Sequence, residues 1–219
     1  MKIDKYFIVS FVLNILTFLF VVVGTIITAT VKSDVLGDNT LSVFRFFTFQ
    51  SNLFMGIVSA IYAYYQILIL AKKKDKIPHV LNIFNLVGVS AVGLTFIIVI
   101  GFLAPGYGFD KMYVNANFFY HGLVPVIALV NYMFFTRNEK YHFLQTLFTI
   151  LPSLLYGIVY FIVVDSHDAY YGNNPDYDFY MFGKDGPYIG ILYFVAVMSI
   201  AYAIAVGIYF VNRLVFKKR

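Results

Sequence analysis

The sequence lacks cysteine altogether, has no tryptophan, and carries charge on only 12% of its 219 residues. The missing thiols exclude disulfides, thiolate metal sites and a cysteine nucleophile. The shortage of charge says more. An ordinary soluble domain is about a quarter charged, whereas this chain is 61% hydrophobic with a mean hydropathy of +0.80. Also missing are an HExxH metal motif, a GxSxG elbow and a glycine loop of the kind that cradles phosphate. No basic stretch with interleaved aromatics lies outside the apolar runs, so the net charge of +5 does not point to nucleic acid.

What is present is a series of long apolar runs. Six of them, near 7–29, 46–70, 80–103, 118–135, 142–164 and 188–212, are long enough to cross a hydrocarbon core of about 30 Å at about 1.5 Å per residue. The expected fold is an all-α bundle of six transmembrane helices. Residues 1–219 form one membrane-embedded domain, because no connection is long enough to fold alone. The first run is too long for a signal-peptide core of ~7–15 residues, so it reads as a retained span.

Lysine and arginine set the orientation. Twelve lie in the N-terminal tail (Lys2, Lys5), the second and fourth connections (Lys72, Lys73, Lys74, Lys76; Arg137, Lys140) and the C-terminal end (Arg213, Lys217, Lys218, Arg219). Only Lys32, Arg45, Lys111 and Lys184 lie in the other three. The positive-inside rule therefore predicts a multi-pass cell-membrane protein with both termini cytoplasmic. The largest segment on the outer side, 165–187, is acidic, rich in tyrosine and broken by Asn173-Asn174-Pro175 and Gly186-Pro187. It is long enough to fold back over the outer mouth of the bundle.

The second span opens on an unusual stretch, RFFTFQSN at 45–52. Polar groups entering a membrane must find partners or cost kilocalories each. At about 100° per residue Arg45, Thr48, Asn52 and Ser59 share one sector, Ser51 flanks it and Gln50 points elsewhere. In the fourth span Asn117, His121 and Pro125 recur every four residues, near one face. Both spans begin on the outer side by the charge count, so Thr48 and His121 are expected at similar depth.

A hydroxyl and an imidazole at one depth suggest a nucleophile and its general base. A threonine hydroxyl holds its proton tightly, and a histidine with a pKa near ~6.5 can accept that proton and return it to a leaving group. The developing oxyanion needs donors. Asn52, Gln50, Ser51, Arg45 and Asn117 are the candidates for oxyanion or substrate positioning. Each residue also has a plainer role. The Thr48 hydroxyl can bond back to the Phe44 carbonyl, Ser51 and Asn52 can glue helices, and Arg45 can snorkel to head groups. His121 can hold a structural hydrogen bond, and Pro125 can simply kink its helix. His79 and His142 lie on the lysine-rich side. His167, flanked by Asp165 and Asp168, lacks the spacing of a metal site, so no metal and no cofactor are expected.

The stretches FRFFTFQSNL at 44–53 and HGLVP at 121–125 resemble the androgen-induced and androgen-dependent TFPI-regulating protein family, and its small bacterial members in particular. LPSLLYGIVY at 151–160 and the tyrosine-rich outer loop are similar to softer features of those bacterial members. The resemblance runs along nearly the whole chain, with its specific content in the two short motifs. It implies a membrane threonine hydrolase acting on fatty acid esters of hydroxy fatty acids, with Thr48 and His121 as the catalytic pair. The partners would be membrane lipids and a lipid-ester substrate. Asn131 stands where an acidic residue is expected in many bacterial members, so no third group orienting the histidine is identified. Transfer of the acyl group to another lipid is a variant of the same chemistry. The competing class is a small transporter or lipid-binding protein with a polar pocket near the outer leaflet.

Overall fold

The computed structural model describes residues 3–31, 40–136 and 142–217. Of the basic residues used for orientation, Lys2, Lys32, Arg137, Lys140, Lys218 and Arg219 lie outside them. The described chain is helical and contains no strand. Six helices are long and apolar enough to cross a membrane. They are α1 (Lys5–Thr30), α2 (Phe47–Leu70), α3 (His79–Tyr107), α4 (Ala116–Phe135), α5 (Leu151–Ser166, entered through a 3₁₀ segment at Phe143–Ile150) and α6 (Pro187–Lys217).

Neighbouring spans alternate in direction. The Asn14 side chain bonds Gln66 while the Gly56 backbone meets Val21, which makes α1 and α2 antiparallel. Ser51 pairs with Thr95 and Tyr62 with Asn82, which does the same for α2 and α3. Phe143 packs on Tyr209 and Gly157 on Phe194, so α5 and α6 are antiparallel as well. The α3 helix sits at the centre, with 61% of its apolar window buried against 17% for α6. Glycine permits the closest approaches. A Cβ on Gly24 would come 2.8 Å from the Tyr120 ring, and one on Gly157 would overlap the Phe194 ring.

Two of the spans are interrupted at proline. Pro125 has no N–H to give the carbonyl four residues back, that of His121, and its ring crowds that carbonyl. The helix responds with a π-turn over Phe119–Leu123, in which the Val124 N–H reaches the Phe119 carbonyl. A second π-turn, Val99–Leu103, precedes Pro105 in the same way and carries α3 four residues beyond the sequence-based boundary. The expectation that Asn117, His121 and Pro125 share a face assumed an unbroken α-helix, and the π-turn between them changes that register.

At the end bearing the 71–78 connection, buried amides tie four spans together. Asn14 donates to Gln66 Oε1 at 2.9 Å and accepts from Asn131 Nδ2 at 3.0 Å. Asn212 of α6 donates to the carbonyls of Tyr132 and Thr136. All four amide side chains are at most 6% exposed. Along α2, Asn52, Ser59 and Gln66 recur every seven residues and are all buried, a polar stripe held inside the bundle.

At the opposite end the 167–186 segment folds back over the bundle as a tyrosine-rich cap. Tyr160 donates to Asp178 Oδ1, whose other oxygen accepts from the Gly183 N–H at 2.9 Å. Tyr156 donates to the Arg45 carbonyl. The start of α2 has no side-chain cap of its own, and the Tyr180 hydroxyl accepts the orphan Phe47 N–H at 3.0 Å. Burial holds the Tyr180 phenol above the ordinary tyrosine range, so it stays protonated at neutral pH.

Candidate functional site

Thr48 is the second residue of α2 and half-buried. Its hydroxyl has no hydrogen-bond partner among the described residues. The plain reading, a bond back to Phe44, is not realised: Phe44 lies in the 3₁₀ segment Thr40–Arg45, outside α2, and its carbonyl accepts from Gln50 Nε2 at 2.6 Å. One turn on, the fully buried Asn52 donates from one nitrogen to two carbonyls, Thr48 at 2.8 Å and Tyr120 at 3.1 Å. Those two carbonyl oxygens therefore lie within about 6 Å of each other. Asn52 thus clamps the residue at the start of α2 to the residue before His121, and the similar depth read from topology agrees with this contact.

His121 lies in the π-turn and is 7% exposed. Its Nδ1 is 2.7 Å from the Met112 carbonyl oxygen. A carbonyl only accepts, so Nδ1 carries a proton, and in the neutral ring the lone pair is on Nε2. The ring also stands edge-on to Tyr113, with centroids 6.3 Å apart. Met112 ends a short helical turn, Phe109–Met112, in the connection between α3 and α4. That backbone oxygen does the orienting work for which the sequence offers no acidic side chain. Asn131 is remote from it, ten residues or about 15 Å further along α4, and belongs to the Asn14 network.

The five accessory residues divide. Arg45 is not part of α2 but ends a 3₁₀ segment, Thr40–Arg45, so helical angles do not apply to it. Arg45, Gln50 and Ser51 line a cavity of about 540 Å³ between α2, α3 and α5 that does not include Thr48, Asn52 or His121. Ser51 is 4% exposed, and its hydroxyl lies 3.1 Å from the Thr48 carbonyl and 3.3 Å from Thr95 Oγ1. The Asn52 amide group is committed to two carbonyls, and its Oδ1, which is buried without a partner, is an acceptor. This geometry makes Asn52 a clamp rather than an oxyanion donor. Asn117, half-buried and four residues before His121, makes no side-chain hydrogen bond among the described residues and keeps its whole amide available.

The arrangement can do base chemistry: an imidazole whose Nδ1–H is engaged, with a hydroxyl and, on the helix that carries the imidazole, an amide that both lack a side-chain hydrogen bond among the described residues. Among the described residues no group of His, Asp or Glu could hold a metal ion. The residues that sequence reasoning missed are Met112, whose contribution is a backbone atom, and Tyr120, whose carbonyl completes the clamp. Compared with protein-family models, curated proteins and solved structures, the chain matches none.

Proposed function

We propose that this protein is an intramembrane lipid-ester hydrolase of the threonine type that its two short motifs resemble. The observation that carries the reading is the Asn52 clamp, which joins the Thr48 carbonyl to that of Tyr120, the residue before a buried histidine whose Nδ1–H is engaged by the Met112 carbonyl. Thr48 Oγ1 attacks the acyl carbonyl as His121 Nε2 takes its proton. The tetrahedral intermediate collapses, the C–O bond to the leaving alcohol breaks, and Nε2–H protonates that alcohol. Water then attacks the acyl-threonine with the same base, releasing the carboxylic acid.

The test is labelling of purified protein by a lipophilic fluorophosphonate. Wild type and Ser51→Ala are expected to label, while Thr48→Ala and His121→Ala are not. Normal labelling of Thr48→Ala would end the threonine mechanism.

Asn117 is the oxyanion donor in this reading. Asn117→Ala is expected to lower kcat by about 10²–10³-fold with little change in KM, the usual cost of one such donor. Steady-state hydrolysis of p-nitrophenyl decanoate measures it, and a loss under threefold would remove Asn117 from the role.

The site is placed at the outer leaflet, with both termini cytoplasmic, on the strength of the charge asymmetry. The absence of native cysteine makes this simple to check. A cysteine introduced as Asn173→Cys is expected to react with a membrane-impermeant maleimide in intact cells, and Asp75→Cys only after permeabilisation. The reverse pattern would invert the protein in the membrane.

A further inference from the structure

The cavity beside α2 has a use of its own. Its walls are rows of side chains on α2 (Phe47 to Phe54) and on α5 (Pro152 to Val163), closed from behind by Ala91 of α3. The α5 row spans twelve residues, about 16 Å along the helix, so the lining runs along the bundle axis. The volume of about 540 Å³ lies within the ~300–1,000 Å³ typical of small-molecule sites. The wall is mostly apolar, and Leu155 and Val159 on its rim are more than 60% exposed. Both belong to a candidate membrane span, so the opening faces acyl chains rather than water.

The chemistry is graded along that length. Arg45 lines the end beneath the cap, and Leu155 and Pro152 lie toward the middle of the bundle. The guanidinium packs over the rings of Phe46 and Phe179 at 4.9 and 5.1 Å. It donates one long bond, 3.4 Å, to the Asp176 carbonyl. No carboxylate forms an ion pair with it among the described residues, and its Nε is buried with no acceptor. Asp178, the one buried carboxylate among the described residues, is taken up by Tyr160 and Gly183. A half-buried cation with unspent donors above an apolar slot asks for an anion attached to a chain.

We propose that this cavity binds a single-chain membrane amphiphile with an anionic head, the head on Arg45 and the chain between α2 and α5. The site is separate from Thr48 and His121, which do not line it, and the proposal does not rest on the hydrolase reading. A carboxylate and a phosphate monoester share the required chemistry.

Native mass spectrometry of the full chain, released from a neutral detergent at pH 8, tests it with three ligands of one chain length: oleate, oleyl phosphate and oleyl alcohol. None contains a carboxylic ester, so turnover cannot confuse the result. At least one of the two anions is expected to be retained at one per chain, about tenfold more than the alcohol. Retention of both makes any such anion a ligand, and retention of one names the head. Arg45→Gln is expected to reduce the preference to under twofold. Leu155→Trp, which fills the slot, is expected to abolish binding of all three, and Thr48→Ala is expected to bind as wild type. Equal retention of the alcohol by wild type, or an undiminished preference in monodisperse Arg45→Gln, overturns the proposal. Unchanged binding by Leu155→Trp overturns the placement of the chain.

Discussion

Replacing His121 by glutamine is expected to lower ester hydrolysis by about 10²–10⁴-fold, the range that a positioned general base contributes. Glutamine keeps an N–H able to reach the Met112 carbonyl and nearly fills the same buried space, so the fold survives while the base is lost. The sign of the pH dependence follows from the tautomer. Nδ1 is already protonated against Met112, so the only proton His121 can still take goes to Nε2. That proton removes the lone pair that deprotonates Thr48. The wild-type rate should therefore fall as pH falls, through one ionisation, and the residual rate of His121→Gln should lack that limb. Thr48→Ser is expected to keep part of the activity and the same limb, since it keeps the hydroxyl. A His121→Gln variant within threefold of wild type, or one with an unchanged acid limb, would assign the base elsewhere.

The largest effect on stability is expected at Asn14. Its amide is fully buried and joins Gln66 of α2 to Asn131 of α4. Asn14→Leu removes two hydrogen bonds and strands a carbonyl on one side and an amide hydrogen on the other. Interhelical bonds in membranes average about 0.6 kcal/mol and reach about 1.7, while a stranded buried polar group costs about 1–3. A loss of about 2–4 kcal/mol is expected, read from the unfolding midpoint in a sodium dodecyl sulfate titration of mixed micelles. The double variant Asn14→Leu with Gln66→Leu should cost less than the sum of the two singles, because the second change removes the group that the first one stranded. Strict additivity would mean that the two amides do not share the bond. The readout is independent of catalysis, because this network lies at the opposite end of the bundle from His121.

Between these two ends lies a run of polar residues with unequal satisfaction. Gln66 is bonded to Asn14, whereas the Ser59 hydroxyl and Asn52 Oδ1 are buried without a partner among the described residues. Native structures leave few such groups unpaired. At Asn52 the reason is geometric. The amide has turned its two hydrogens toward two carbonyls, and an amide cannot offer hydrogens on both sides. Holding Thr48 and Tyr120 together therefore leaves its oxygen unmatched.

The six spans, their alternation and the folded-back cap were all legible in the sequence, because each rests on a local property. A run of apolar residues either is or is not long enough to cross hydrocarbon, and that length does not depend on neighbours. Thr48 and His121 stood out for a similar reason: polar groups in an apolar run are conspicuous wherever the run lies. The tertiary structure alone decided what those groups face. It split the polar start of α2 into one side clamped to α4 through Asn52 and another, with Gln50 and Ser51, turned to a cavity against α5. It placed Arg45 outside the helix. It supplied His121 with an orienting partner, the backbone oxygen of Met112. Helical periodicity is blind to such choices, since it gives the angle of a residue about its own axis and not the identity of the neighbour. A main-chain carbonyl is blinder still as a signal, because every residue carries one and only the path of the chain determines which of them meets the imidazole.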